Sequence, residues 1–141
     1  MINRRLVQER LDLILDYAGK LELWARTPEA EFTADWVKVT SAESCLRKCL
    51  EAIMDVGRHV LAKTGSAFMA EEYRGIGKGL ARQAVVDQAL GDKLVLMAGY
   101  RNRLVHLYGE VTAEELHAIL TSNLADLREF VRQIAAFLDA N

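Results

Sequence analysis

The segment Met97-Ala-Gly-Tyr-Arg-Asn-Arg-Leu-Val-His-Leu-Tyr-Gly109 sets an arginine, an asparagine, a histidine and a tyrosine among apolar residues. On a helix, at roughly 100° per residue and with Arg101 at zero, Asn102 falls at about 100°, His106 at about 140° and Tyr108 at about −20°. Asn102 and His106 are then i, i+4 neighbours, and the long Arg101 side chain can swing toward the imidazole. A guanidinium, an imidazole and an amide could thus converge on one groove. Imidazole gives and takes a proton near neutral pH, and a guanidinium stabilises developing negative charge, so the chemistry on offer is acid–base and electrostatic. The competing reading is a satisfied buried histidine beside an arginine paired to a neighbouring acid.

The elements that must position these residues are helical. Period-two alternation is scarce, apolar residues recur at three and four, and a single proline leaves long segments unbroken. Asn3 is placed to cap a first helix striped by Leu6, Leu13, Ile14, Tyr17, Leu21 and Trp24, which Pro28 ends. Glu29 to Thr33 reads as a connector. A second helix starts near Asp35, carries Leu46, Cys49, Ile53, Val56 and Val60 on one face and a polar opposite face, and stops at Gly65. Residues 66–91 are irregular, because Gly75, Gly77 and Gly79 cost a helix about 1 kcal/mol each; a short, weak third helix is expected there. A fourth begins near Asp87 or Asp92, carries the arginine and histidine, and stops at Gly109. Thr112, three residues before Glu115, forms a capping box that opens a fifth helix running through Leu116, Leu127, Ile134 and Phe137. The expected fold is all-α: one domain over residues 1–141, an antiparallel bundle of four long helices plus a short irregular one.

Composition narrows the function classes. With 141 residues, 51% of them hydrophobic, the chain can bury a continuous core without disulfide or metal staples, which excludes disordered and knottin-like classes. The longest apolar stretch, Leu94 to Tyr100, is far short of a membrane span, and the charges among Arg4, Arg5, Glu9, Arg10 and Asp12 leave no room for a secretory h-region. A cytosolic protein is expected, with no membrane partner. A formal charge of −2 predicts no general affinity for polyanions, so nucleic acid must be met by a local patch. Arg74, Lys78 and Arg82, at i, i+4 and i+8, would form such a stripe, and Arg103 beside the motif is a further candidate contact for RNA or a protein partner. Gly75-Ile-Gly-Lys-Gly79 lacks the spacing of a phosphate loop. Cys45 and Cys49 lack zinc-knuckle spacing and read as buried thiols. His59 reads as a structural histidine that could pair with Asp55, and His117, beside Glu114 and Glu115, as a surface residue. No histidine pair has metal-ligand spacing, and no cofactor is expected.

Arg101-x4-His106-x-Tyr108, preceded by a glycine–aromatic pair and followed by a helix stop, resembles the signature of the HEPN superfamily, specifically the HepT-like ribonuclease toxins. The order of helices, the stretch from Cys49 to His59 and the amphipathic last helix extend the likeness over nearly the whole chain. The resemblance implies metal-independent RNA cleavage by a homodimer whose paired motifs face a shared cleft. It makes His106 the general acid or base toward the ribose 2′-hydroxyl or the leaving oxygen. Arg101 would stabilise the phosphorane charge, and Asn102 would orient the imidazole or the phosphate. It also implies a toxin–antitoxin pair of type VII character, in which an MntA-like nucleotidyltransferase antitoxin modifies Tyr108 with AMP. The added bulk and negative charge would repel RNA phosphate and compete for Arg101. A second role fits the same motif: a non-catalytic helical partner that binds substrate for a minimal nucleotidyltransferase. The catalytic role expects Arg101 and His106 to point together into solvent-accessible space.

Overall fold

The computed structural model describes residues 1–106 and 111–141, and among these every regular element is helical. The order is α1 (Arg4–Ala25), α2 (Glu29–Thr33), α3 (Trp36–Lys63), a 3-10 turn (Ala67–Ala70), α4 (Tyr73–Arg82), α5 (Gln88–His106), α6 (Ala113–Ser122) and α7 (Ala125–Ala140).

The helix starts follow local chemistry. Each helix leaves its first N–H groups without intrahelical acceptors, and short polar side chains supply them. Asn3 Oδ1 accepts from the Leu6 N–H at 3.1 Å, Asp87 Oδ1 from Leu90 at 2.8 Å and Thr112 Oγ1 from Glu115 at 3.1 Å. Asp35 Oδ1 serves both Val37 and Lys38, at 3.0 and 3.3 Å. Asp87 rather than Asp92 therefore opens the fourth expected helix. At the end of α3, Gly65 takes φ +88°, a left-handed conformation that costs glycine nothing, and the Ser66 N–H turns back to the Leu61 carbonyl at 3.0 Å.

The second half of α3 is the centre of the bundle. Ala52, Ile53, Met54, Val56 and Gly57 are all buried, so burial wraps most of the helix there. The polar opposite face expected from the sequence is confined to a narrow strip with Glu51, Asp55 and Arg58, because α1, α4 and α5 all pack on this one helix. The thiol of Cys49 belongs to this interior. It lies 3.9 Å from the Ile14 carbonyl, and burial pushes it up to about 12. Cys45 is half-buried, and neither cysteine is in a disulfide.

The glycines that weaken α4 as an isolated helix are what dock it. A Cβ on Gly77 would sit 2.6 Å from the Gly91 carbonyl oxygen and 2.8 Å from Leu94 Cβ, and one on Gly91 would sit 2.8 Å from Ala81 Cβ. Helices α4 and α5 therefore approach backbone to backbone, and overpacking of about 1–3 kcal/mol would outweigh the propensity that alanine brings.

Two expectations about the elements need correction. Glu29–Thr33 is a short helix rather than a connector: Pro28 precedes its first turn, Glu29 and Glu31 favour its positive end, and the fully buried Phe32 anchors it. The expected fifth helix is two, α6 and α7, broken at Asn123 and Leu124. The apolar period continues across this one-turn break, so periodicity reads through it. Packing does not: α6 lies on α1 and α2, whereas α7 lies on α1 and α5. The bidentate pair of Arg128 with Glu22, at 2.6 and 2.8 Å, ties α7 to α1.

Candidate active site

Helix α5 carries Arg101, Asn102 and His106 through its last turns, and all three lie within the described residues. Tyr108 and the expected stop at Gly109 lie outside them. The side of α5 bearing Arg101 faces α3 and α4. Arg101 Nε donates to Glu51 Oε1 of α3, and Nη1 donates to Asn102 Oδ1 at 3.0 Å. Its guanidinium carbon stands 4.0 Å from the ring centroid of Tyr73, the first residue of α4. Only 11% of the Arg101 side chain is exposed. His106, at the end of the helix, is exposed.

The expectation that both groups point out to solvent therefore holds for His106 and only at the guanidinium's Nη2, unpaired among the described residues, for Arg101, most of whose side chain is covered by α3 and α4. The amide oxygen of Asn102 accepts from Arg101, so this residue braces the guanidinium. It still links the two, lying beside Arg101 and one turn before His106. The arginine does pair with a neighbouring acid, as the blander reading expected, but the histidine beside it is neither buried nor satisfied by any partner among the described residues.

Sequence reasoning missed Glu51 and Tyr73. An acid paired to the arginine was expected, but Glu51 stands 50 residues away on another helix, and nothing local marks it. Arg103 forms its own cluster on the far side of α5. Its Nη2 lies 2.9 Å from Glu115 of α6, and the Tyr100 hydroxyl donates to the same carboxylate at 3.4 Å. Burial first, and then the Glu115 charge, push the Tyr100 phenol far above its ordinary range. Arg74, Lys78 and Arg82 are all exposed along α4, and Arg74 reaches α5: its Nη2 is 3.8 Å from the place of a Cβ on Gly99.

The other histidines are structural. His59 Nε2 accepts the Asn3 backbone N–H at 3.0 Å, while Asp55 turns to Arg10 and Arg58 at 3.6 and 4.0 Å, so the Asp55–His59 pair does not form. Burial, with help from Lys63 and the N-terminal ammonium, holds the His59 pKa below its ordinary 6.5. A protonated Nε2 has no lone pair for Asn3, so this hydrogen bond is present above the unfolded-state pKa and disappears as pH falls through the lower folded one. The gap in melting temperature between the protein and its His59→Gln variant should therefore shrink between about pH 8 and about pH 5. A gap that widens on acidification would contradict this. His117, expected at the surface, is buried at 8% exposure. Its Nε2 meets the Thr27 carbonyl at 2.7 Å, and its ring packs 5.3 Å from Phe32, because α2 folds over it.

Among the described residues no three His, Cys, Asp or Glu side chains gather as a metal site, and no helix is long and apolar enough to cross a membrane. What remains is an all-helical bundle with a braced arginine and an exposed histidine at the end of one long helix. The chain belongs to the HepT-like ribonuclease family, which it matches over residues 14–134. It is 23% identical over 133 residues to a tRNA nuclease HepT of Aphanizomenon flos-aquae, spanning 94% of this chain and 90% of that one. It is 27% identical over 107 residues to an mRNA nuclease HepT of Shewanella oneidensis, spanning 76% and 80%. Its fold is shared with a tri-AMPylated HEPN toxin of Shewanella oneidensis in complex with an MNT antitoxin, with TM-score 0.81, 22% identity and coverage of 93% and 97%. It is also shared with YutE of Bacillus subtilis, described as a cytosolic protein of unknown function, with TM-score 0.79, 21% identity and coverage of 99% and 92%.

Proposed function

We propose that this protein is an RNA-cleaving toxin that works without a metal ion and is held in check by a nucleotidyltransferase antitoxin. The observation that carries the reading is the end of α5, where a braced Arg101 and an exposed His106 stand one on each side of Asn102 in a chain of a ribonuclease family. His106 would move the proton at the ribose 2′-hydroxyl or at the leaving oxygen. Arg101 would meet the charge that builds on the phosphorane. Tyr108 is proposed as the residue that the antitoxin modifies with AMP. A homodimer suits the same helix, since Leu96, 70% exposed, shares a face of α5 with Gly99, Arg103 and His106.

Expression of the chain by itself tests the reading. Growth should stop, the purified protein should cleave RNA in the presence of EDTA, and co-expressed antitoxin should restore growth for the chain but not for its Tyr108→Phe variant. A chain that binds the nucleotidyltransferase yet arrests no growth and cuts no RNA would be the non-catalytic partner instead.

The exposed stripe of Arg74, Lys78 and Arg82 is proposed to touch RNA phosphates beside this site. Neutralising all three should weaken RNA binding for every sequence. It should also lower the slope of log affinity against log salt by about 0.7 for each single-strand phosphate that the stripe neutralises. An unchanged slope would remove the stripe from the interface.

A further inference from the structure

A long arginine side chain at a helix end samples many rotamers, and a catalytic guanidinium is only as useful as its placement. Three helices remove that freedom from Arg101. Glu51 of α3 takes the Nε–H, Asn102 of α5 takes an Nη1–H at 3.0 Å, and the Tyr73 ring of α4 lies 4.0 Å from the guanidinium carbon. Tyr73 is itself steadied, because the Arg58 guanidinium carbon lies 4.9 Å from the same ring centroid and Arg58 is held in turn by Asp55 at 4.0 Å. Asp55 and Glu51 are one turn apart on α3, so these interactions close on themselves across α3, α4 and α5.

Together they occupy the Nε–H, one Nη1–H and one face of the guanidinium. The remaining N–H donors of the fork, Nη2 included, have no protein acceptor among the described residues, and none is a buried atom without a partner. The group is therefore gripped through Nε, Nη1 and one face with Nη2 left uncommitted, as preorganised charge stabilisation requires.

We propose that Glu51 and Tyr73 are positioning residues for Arg101, an inference that rests on the ribonuclease reading: they hold the guanidinium so that its Nη2 meets the scissile phosphate. Glu51 acts through its acceptor oxygen more than through its charge. Its carboxylate also offsets part of the arginine's attraction for phosphate, so the acceptor is useful to catalysis and the charge is not.

That distinction sets the test. In Glu51→Ala the guanidinium loses its anchor, and kcat on an RNA substrate should fall roughly 10- to 30-fold with little change in KM. Glu51→Gln keeps an oxygen for the Nε–H and should stay within about threefold of the parent in kcat, with an unchanged or lower KM. Tyr73→Phe should match the parent, and Tyr73→Ala should behave like Glu51→Ala. A role in stability alone would move the melting temperatures and leave kcat per folded molecule untouched. Equal losses in Glu51→Ala and Glu51→Gln, or none in either, would overturn the proposal.

A second readout separates this inference from the ribonuclease reading. The Arg101 Nε–H resonance, assigned by its absence from Arg101→Lys, should be protected from solvent exchange in the parent and in Glu51→Gln and unprotected in Glu51→Ala. If the parent cuts no RNA, the ribonuclease reading fails on its own. Protection that persists in Glu51→Ala overturns the positioning role whether or not RNA is cut.

Discussion

Replacing His106 by alanine is expected to lower RNA cleavage by roughly 10²- to 10⁴-fold, the contribution of a positioned general acid or base, and to leave the fold as it is. The two halves of that expectation have separate grounds. The loss follows from chemistry: no other imidazole stands at the end of α5, since His59 is committed to the Asn3 amide and His117 to the Thr27 carbonyl. The intact fold follows from exposure, because His106 packs into no core and removing its ring opens no cavity. Cleavage by the purified variant and its helical melting curve check both at once. A variant that melts like the parent and still cleaves within tenfold of it would remove His106 from the mechanism.

Arg101→Lys is expected to lose about 10²- to 10³-fold, the effect of taking away one preorganised donor to an oxyanion, although the formal charge is unchanged. A lysine ammonium is a single compact charge on a flexible stem. It can meet Glu51 or a phosphate, but it cannot hold Glu51 through an inner N–H while offering a separate outer edge to RNA. It would also lose the planar stacking on Tyr73 that the guanidinium makes. The lysine keeps a cation beside Glu51, so an unpaired half-buried carboxylate is avoided and the comparison tests geometry in place of stability. Rates normalised to folded protein decide it, and a lysine variant that retains a tenth or more of the parent rate would mean that charge by itself is enough.

The family resemblance and the helix starts were legible because both depend on residues close together in the chain. Asn3, Asp35, Asp87 and Thr112 cap helices through oxygens that reach N–H groups two or three residues on. The Arg101–His106 spacing was equally readable, since both lie on one helix. The turn between α6 and α7 was not, because the apolar period runs on across Asn123 and only the different neighbours of the two helices separate them. The surface placement expected for His117 failed for a related reason: its burial depends on α2 and on a carbonyl 90 residues earlier.

By itself, then, the amino-acid order determined an all-helical chain, where most of its helices begin, and the Arg101–His106 motif of the HepT-like family it resembles. Only the tertiary structure decided how that motif is held: Arg101 braced against Glu51 and Tyr73 with Nη2 uncommitted, His106 outward. The physical reason is range. Capping and helical spacing act over a few residues of backbone, whereas the partner of a largely buried cation is whichever acid the packing of α3, α4 and α5 brings within reach.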